Sequence, residues 1–135
     1  MELSGALGSL QLKKSSKMLK LRRENAQFFI KKFKNNKDFI IQQEIGNSSW
    51  FNFSLIIKNK NKFPIKKVVD ILTKKKIDCR RVIGGDFSSQ TYSKYFKINK
   101  VSNFNSRYIH NFGFMVGNYD KNLKKQIEYL ERTLS

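Results

Sequence analysis

The chain has 135 residues, of which 39% are hydrophobic and 13% aromatic, enough apolar material for one packed core, so wholesale disorder is excluded. Its 28 lysine and arginine residues against 10 acids give a net charge of +18, which would attract phosphate-rich partners. A single cysteine and a single histidine exclude an internal disulfide and a His/Cys metal site, and no apolar run approaches the roughly 18 residues that a membrane span requires.

The first third of the chain predicts a helix, because its apolar residues recur at spacings of three and four. The pattern covers about residues 3–33 and gives one long helix or two helices divided near Ser15. No capping residue or polar lead-in precedes Leu3, although one usually opens a helix. We therefore expect Met1 to lie inside a longer protein, and Leu3, Leu7 and Leu10 to form an exposed apolar strip where another domain would pack.

The middle of the chain predicts two strands, a helix and a third strand. Apolar and polar residues alternate over residues 39–45 and 51–57, and the turn at residues 46–49 makes these strands antiparallel. Pro64 suits the first turn of a helix, where its missing N–H breaks no hydrogen bond. The third strand is expected over residues 77–83, before two glycines.

The last third predicts a loop, a strand and a helix. Residues 86–105 are polar, aromatic and weakly periodic, which indicates a long loop with a helical turn near residues 92–96. A short helix over 107–110 and a strand over 112–116 follow, and Asp120 is expected to cap a final helix.

This order of elements predicts an α+β fold, with a small mixed sheet and helices on one face. We divide the chain into an N-terminal helical segment, residues 1–36, and a C-terminal α+β domain, residues 37–135.

Six short stretches, taken in their order and spacing, resemble the C-terminal domain of the DegT/DnrJ/StrS family of pyridoxal-phosphate-dependent sugar-nucleotide aminotransferases. They extend over nearly the whole chain and are residues 1–12, 22–26 (RRENA), 48–53 (SSWFNF), 77–81 (IDCRR), 85–87 (GDF) and 109–118. Residues 79–81 and 85–87 are most similar to the branch that acts on 4-keto-6-deoxyhexose nucleotides, which includes perosamine-type aminotransferases and 3-dehydratases.

Three residues depart from the pattern of that branch. Arg81 stands where proline is common, Asp86 where asparagine is common, and Asn52 where glycine is common. These departures bear on the substrate more than on the family.

The resemblance implies the small C-terminal domain of a fold-type I enzyme that serves deoxysugar or lipopolysaccharide biosynthesis. The single cysteine fits a reducing compartment, so we expect the cytoplasm. A full-length relative would bind pyridoxal 5'-phosphate and a nucleotide-linked 4-keto-6-deoxy sugar, and would form a homodimer. The reactive lysine or histidine, the acid that holds the pyridine nitrogen protonated and the phosphate cradle would all lie upstream of Met1. We therefore expect no cofactor on this chain, no catalytic residue in it, and no activity from it alone.

The resemblance also nominates residues that face the substrate. Arg80 and Arg81 lie on opposite faces of the predicted strand, so only one of them can bind a nucleotide phosphate or sugar hydroxyls.

The other candidates are Asp86, Phe87, His110 and Trp50, with Glu2 near the cofactor. Each has a structural alternative: His110 as a hydrogen-bonded turn residue, Trp50 and the neighbouring Phe51 as packing residues, and Glu2 as an exposed side chain.

Two other classes of function remain open from the sequence. The net charge fits a small basic module that binds nucleic acid, although 22 of the 28 cations are lysine, which an AT-rich genome alone would produce. Clusters of arginine with interleaved aromatic residues would be stronger evidence for such a module. The chain would otherwise be a non-catalytic product of a truncated or split gene. The family resemblance implies neither a specific nucleic-acid partner nor a membrane.

Overall fold

The computed structural model describes residues 2–82, 84–97 and 104–135. Its helices are α1 (Glu2–Phe33), α2 (Ile65–Lys74), α3 (Phe104–Phe112) and α4 (Lys124–Thr133). Its strands are β1 (Phe39–Ile41), β2 (Asn52–Ile57), β3 (Cys79–Arg81) and β4 (Gly113–Gly117), and two 3₁₀ turns span Phe87–Ser89 and Thr91–Tyr95. The α+β class and the long N-terminal helix are thereby confirmed.

The four strands form one sheet in the order β1-β2-β4-β3. All three pairings are antiparallel, so the prediction of a mixed sheet is wrong. The reason is that β4 lies between β2 and β3, which run in the same direction, and pairs antiparallel with both of them.

One face of the sheet forms the core, because the alternation along β2 buries Phe53, Leu55 and Ile57 and leaves the residues between them half-exposed. The register sets Phe53 opposite Val116 and Leu55 opposite Phe114, which extends the apolar face across β4. Helices α1, α2 and α4 cover this face. The ring of Phe29 from α1 stacks on Phe53 at 4.5 Å, and this contact anchors the long helix to the sheet.

Helix α1 is unbroken, and only its last third is buried. Asn25, Ala26, Phe29 and Phe33 are its buried residues. The side chain of Leu3 is 76% exposed, and those of Leu7 and Leu10 are each 53% exposed, so the predicted apolar strip is confirmed. The domain limit at residue 36 stays a prediction.

Several element ends differ from the sequence prediction. Asp120 does not cap α4; the capping position is Leu123, whose backbone N–H donates to the amide oxygen of Asn25 in α1 at 3.0 Å. Strands β1 and β3 have three residues each, shorter than predicted. Ile83 and residues 98–103, which belong to the predicted third strand and long loop, lie outside the described residues.

Truncation of Phe29 tests where the stability of α1 resides. Because its ring is fully buried against Phe33 and Phe53, we expect Phe29→Ala to lower the free energy of unfolding by about 3–5 kcal/mol in urea denaturation. Leu10→Ala, on the exposed part of the same helix, should change it by no more than about 0.5 kcal/mol. Equal losses from the two variants would contradict this assignment of the core.

Deletion of residues 1–12 tests the exposed strip. Since no described residue of this segment is buried, we expect the melting temperature to fall by less than about 3 °C while solubility at high concentration rises. Light scattering and thermal denaturation monitored by circular dichroism measure the two effects. A large drop in melting temperature would show that the segment packs on the rest of the chain.

Candidate functional site

The two arginines of strand β3, Arg80 and Arg81, lie on opposite faces of the sheet. Arg80 pairs with Met115 and Arg81 with Phe114, and successive residues of a strand point to opposite faces. The two arginines therefore belong to two separate groups of side chains.

The first group surrounds His110, at the end of α3. The guanidinium of Arg81 donates to the carbonyl oxygen of His110, and the backbone N–H of Asp86 donates to its Nδ1 at 3.2 Å. A neutral imidazole accepts this second bond, because a protonated ring offers only donors. The structure thus joins three predicted site residues that are up to 29 positions apart in sequence.

Gly85 allows this close approach. Its φ of +55° lies in the left-handed region, and a Cβ atom built on it would lie 2.1 Å from Nδ1 of His110. Any other residue at this position would push the imidazole away from the backbone of Asp86.

Asp86 is only 2% exposed, and its carboxylate organises the loop that follows β3. It accepts hydrogen bonds from the backbone N–H of Ser88 at 3.2 Å and from the hydroxyl of Ser88 at 2.8 Å. The hydroxyl of Ser106 is 3.3 Å away and Nε of Arg107 is 3.7 Å away. The side-chain hydrogen bond from Ser88 is the largest cause that lowers the pKa of Asp86 below its ordinary value. Asp86 therefore caps the first 3₁₀ turn as an anion.

Phe87 lies on the outside of this loop. Its ring makes edge contacts of 5.4 Å with Tyr92 and with Phe96, and all three rings are exposed. Of the predicted site residues near His110, Phe87 presents the largest apolar surface to solvent.

The second group lines a cleft of about 390 Å³. Arg80 lies in it with Arg22 of α1 and with Phe51, Asn52 and Tyr119. The side chain of Arg80 is exposed, and its nearest carboxylate, that of Asp78, is 4.0 Å away and also exposed, so this ion pair is weak. Such an arginine is free to bind an external anion.

Trp50 and Phe51 differ in exposure, although packing is the structural alternative for both. Trp50 is 1% exposed and packs beside Phe53, whereas Phe51 is 67% exposed and lines the cleft. The cause is the φ of +49° at Trp50, which turns the backbone just before β2. The prediction that Phe51 packs in the core is therefore wrong, and the Trp50 ring is not accessible to a ligand at the surface.

Glu2 lies exposed in the first turn of α1 and contacts none of the other candidates in the described hydrogen bonds and ion pairs. Arg22 and Tyr119 were not nominated from the sequence. Arg22 belongs to the RRENA stretch that resembles the family, so the sequence could have pointed to it. It was not nominated because a charged residue on a helix is ordinarily exposed to solvent.

The described residues do not fit a pyridoxal phosphate site. A Schiff-base lysine needs a desolvated pocket that lowers its pKa. Among the lysines that the structure describes, only Lys32 is half-buried, and it pairs with Glu131 at 3.0 Å. The remaining described lysines are exposed, so we assign no cofactor step to this part of the chain.

The described ranges contain no group of three or more His, Cys, Asp or Glu side chains placed to hold a metal ion. Within those same ranges, none of the helices combines the length and the apolar character that crossing a bilayer requires.

A family model agrees with this architecture and matches residues 1–130: the DegT/DnrJ/EryC1/StrS aminotransferase family. The GDP-4-keto-6-deoxy-D-mannose 3-dehydratase of Escherichia coli O55:H7 is 40% identical over 136 residues, which cover 99% of this chain and 35% of that enzyme. The dehydratase of the same name from Yersinia pseudotuberculosis is 36% identical over 132 residues, covering 96% of this chain and 34% of that enzyme. The chain thus spans about a third of the length of the curated relatives it matches.

Solved structures agree. The E. coli dehydratase with bound hydrated PLP superposes with a TM-score of 0.92 at 39% identity, over 99% of this chain and 35% of that chain. A variant of GDP-4-keto-6-deoxymannose-3-dehydratase with bound GDP-perosamine gives a TM-score of 0.91 at 38% identity, with the same coverage.

The buried carboxylate of Asp86 predicts a pH dependence of stability. Because its pKa is lower in the folded chain than in the unfolded one, its contribution is full above the ordinary carboxyl pKa of about 4 and is lost as the pH falls through the lower folded pKa. Asp86→Asn keeps an oxygen that accepts from Ser88 but cannot titrate. We expect its urea midpoint to fall less steeply between neutral and acid pH than that of the wild type.

Asp70→Asn is the matched control, since Asp70 is an exposed carboxylate on α2 without an ion pair among the described residues. Its acid profile should follow the wild type. If Asp86→Asn does the same, Asp86 is not held as an anion.

Proposed function

The chain belongs to the DegT/DnrJ/EryC1/StrS aminotransferase family, and we propose that it forms the C-terminal, substrate-facing part of a pyridoxal-phosphate-dependent sugar-nucleotide dehydratase or aminotransferase. The substrate class that we propose is a nucleotide-linked 4-keto-6-deoxy sugar, and the pathway is deoxysugar synthesis for surface polysaccharide in the cytoplasm. A complete protein of this kind is proposed to act as a homodimer.

The observation that carries the proposal is the extent of the structural match. A TM-score of 0.92 over 99% of this chain leaves no described element without a counterpart in the E. coli dehydratase, yet the match takes in only 35% of that enzyme. This supports a role as one part of a larger catalytic unit. The two curated relatives, both 3-dehydratases that are named for a GDP-linked keto sugar, support the substrate class.

The geometry supports binding and positioning rather than bond breaking. Arg80 presents a planar guanidinium in the cleft, and such a group binds phosphate or paired hydroxyl oxygens with two parallel hydrogen bonds. Orientation of a substrate by residues remote from the reacting atoms contributes to rate by holding the productive geometry. In the complete enzyme the cofactor would supply the electron sink, held by residues other than those described.

The group around His110 has a supporting role in this proposal. His110, Arg81 and Asp86 are linked by hydrogen bonds within the chain, and those of Asp86 fix the loop that carries Phe87. Phe87 would then be the ligand-facing member of this group, and the buried Trp50 is left out of the proposed contacts.

A chimera tests the proposal. We expect that the E. coli dehydratase with its matched third replaced by this chain binds pyridoxal phosphate and turns over GDP-4-keto-6-deoxy-D-mannose, whereas the 135-residue chain with added cofactor does not. In the chimera, Arg80→Ala should lower kcat/KM roughly ten- to hundred-fold, as expected for the loss of a charge-assisted hydrogen bond.

Arg132→Ala, which removes an exposed arginine from the last turn of α4, is the matched control and should leave kcat/KM unchanged. A folded, cofactor-loaded chimera without turnover would overturn the proposal. Turnover by the isolated chain would overturn its claim that catalysis needs residues outside these 135.

A further inference from the structure

We propose that Arg22 is a second substrate-binding arginine of the cleft, and that it binds the phosphate oxygens of a nucleoside diphosphate beside the ring of Phe51. This inference rests on the proposed function for the identity of the ligand, but on the geometry of this chain for the residue.

One donor of the Arg22 guanidinium, its Nε–H, lacks a hydrogen-bond acceptor among the described residues. The Nε atom is buried. No ion pair with Arg22 occurs within the described ranges either. A buried donor without a partner is costly, and more so when it is charged. An oxygen-rich anion in the adjoining cleft would supply the missing acceptor once the Arg22 side chain turns its Nε–H toward the cleft.

The backbone around Arg22 is fixed by a buried amide. Asn118 donates to the carbonyl oxygen of Arg22 at 3.0 Å and to that of Trp50 at 2.8 Å, and its backbone N–H donates to Phe51 at 3.4 Å. The two walls of the cleft, one from α1 and one from the start of β2, therefore have a fixed separation. A preformed site loses less conformational entropy when a ligand binds, because its side chains are already ordered.

Asn118 is itself held by Asn25, whose amide nitrogen donates to the Asn118 side-chain oxygen at 3.1 Å. Both side chains are buried. The same Asn25 nitrogen lies 3.1 Å from the carbonyl oxygen of Tyr119, which fixes the backbone of another residue that lines the cleft.

The lining favours a nucleoside diphosphate over a simple anion. Two guanidinium groups, those of Arg22 and Arg80, share the cleft with one carboxylate, that of Asp78. Guanidinium forks match the oxygens of a phosphate chain. The exposed rings of Phe51 and Tyr119 add flat apolar surface for a base or sugar, and the guanidinium of Arg22 lies 5.9 Å from the centre of the Phe51 ring.

The neighbouring arginine provides a matched control. Arg23 is the next residue of the same helix and carries the same charge, but its guanidinium donates to the carbonyl oxygens of Ser48 at 3.1 Å and Asn47 at 3.5 Å. Its replacement by methionine removes one charge from the same surface without touching a residue that lines the cleft.

The experiment is a titration of the ¹⁵N-labelled chain with GDP, followed by NMR at moderate salt. We expect saturable shifts of the Arg22 side-chain Nε–H and of the backbone amides of Phe51 and Tyr119. Arg22→Met should raise Kd at least tenfold, Arg22→Lys should raise it less, and Arg23→Met should change it less than threefold. Inorganic pyrophosphate should shift the Arg22 signal, whereas guanosine should not.

Three results would overturn the inference: no shift at Arg22, equal effects of Arg22→Met and Arg23→Met, or shifts spread over lysines across the whole surface. The Nε–H signal of the wild-type chain tests the contact directly, even if Arg22→Met fails to fold. The outcome is separate from that of the chimera, because an active chimera with GDP contacts at Arg80 but none at Arg22 would retain the proposed function and remove only this residue.

Discussion

The hydrogen bonds of the buried amides of Asn25 and Asn118 join helix α1, the start of β2 and the segment between β4 and α4. Asn25 belongs to α1, and Asn118 follows β4. Between them they bind the carbonyl oxygens of Arg22, Trp50, Tyr119 and Lys121 and the N–H that begins α4. An apolar residue at either position would leave several of these groups buried without partners, which is far more costly than the loss of one hydrogen bond. The start of α4 and the shape of the cleft therefore depend on the same pair of amides.

The sequence was sufficient for elements whose signal is local. Helices α1, α2 and α4 and strand β2 each bury a periodic set of their own residues, so periodicity alone located them. Prediction from periodicity failed where a residue far away in the sequence determines the local structure. The beginning of α4 depends on Asn25, 98 residues away, and no pattern near Asp120 reveals that partner. The direction of pairing in the sheet depends on β4 entering between β2 and β3, which is likewise a property of the assembled chain.

The same distinction explains what was predicted of the site. The opposite faces of Arg80 and Arg81 follow from strand geometry, so they were predictable. The meeting of Arg81 and Asp86 at His110 was not, because it requires the turn at Gly85 and the end of α3 to pack together. Arg81 and Asp86 both contact this one histidine. Asp86 also accepts through both carboxylate oxygens from the Ser88 hydroxyl.

Helix α1 is geometrically continuous, but tertiary contacts stabilise only its C-terminal part against local unfolding. From Asn25 to Phe33 its backbone can open only if the Phe29 and Phe53 stack is broken, so these amides should exchange their hydrogens with solvent as slowly as the core of the sheet. Near Leu3 and Leu7 none of the described residues is buried, and an unsupported helical segment of this length is marginal in water. Isotope exchange should therefore slow progressively along a single helix from its first turn to its last.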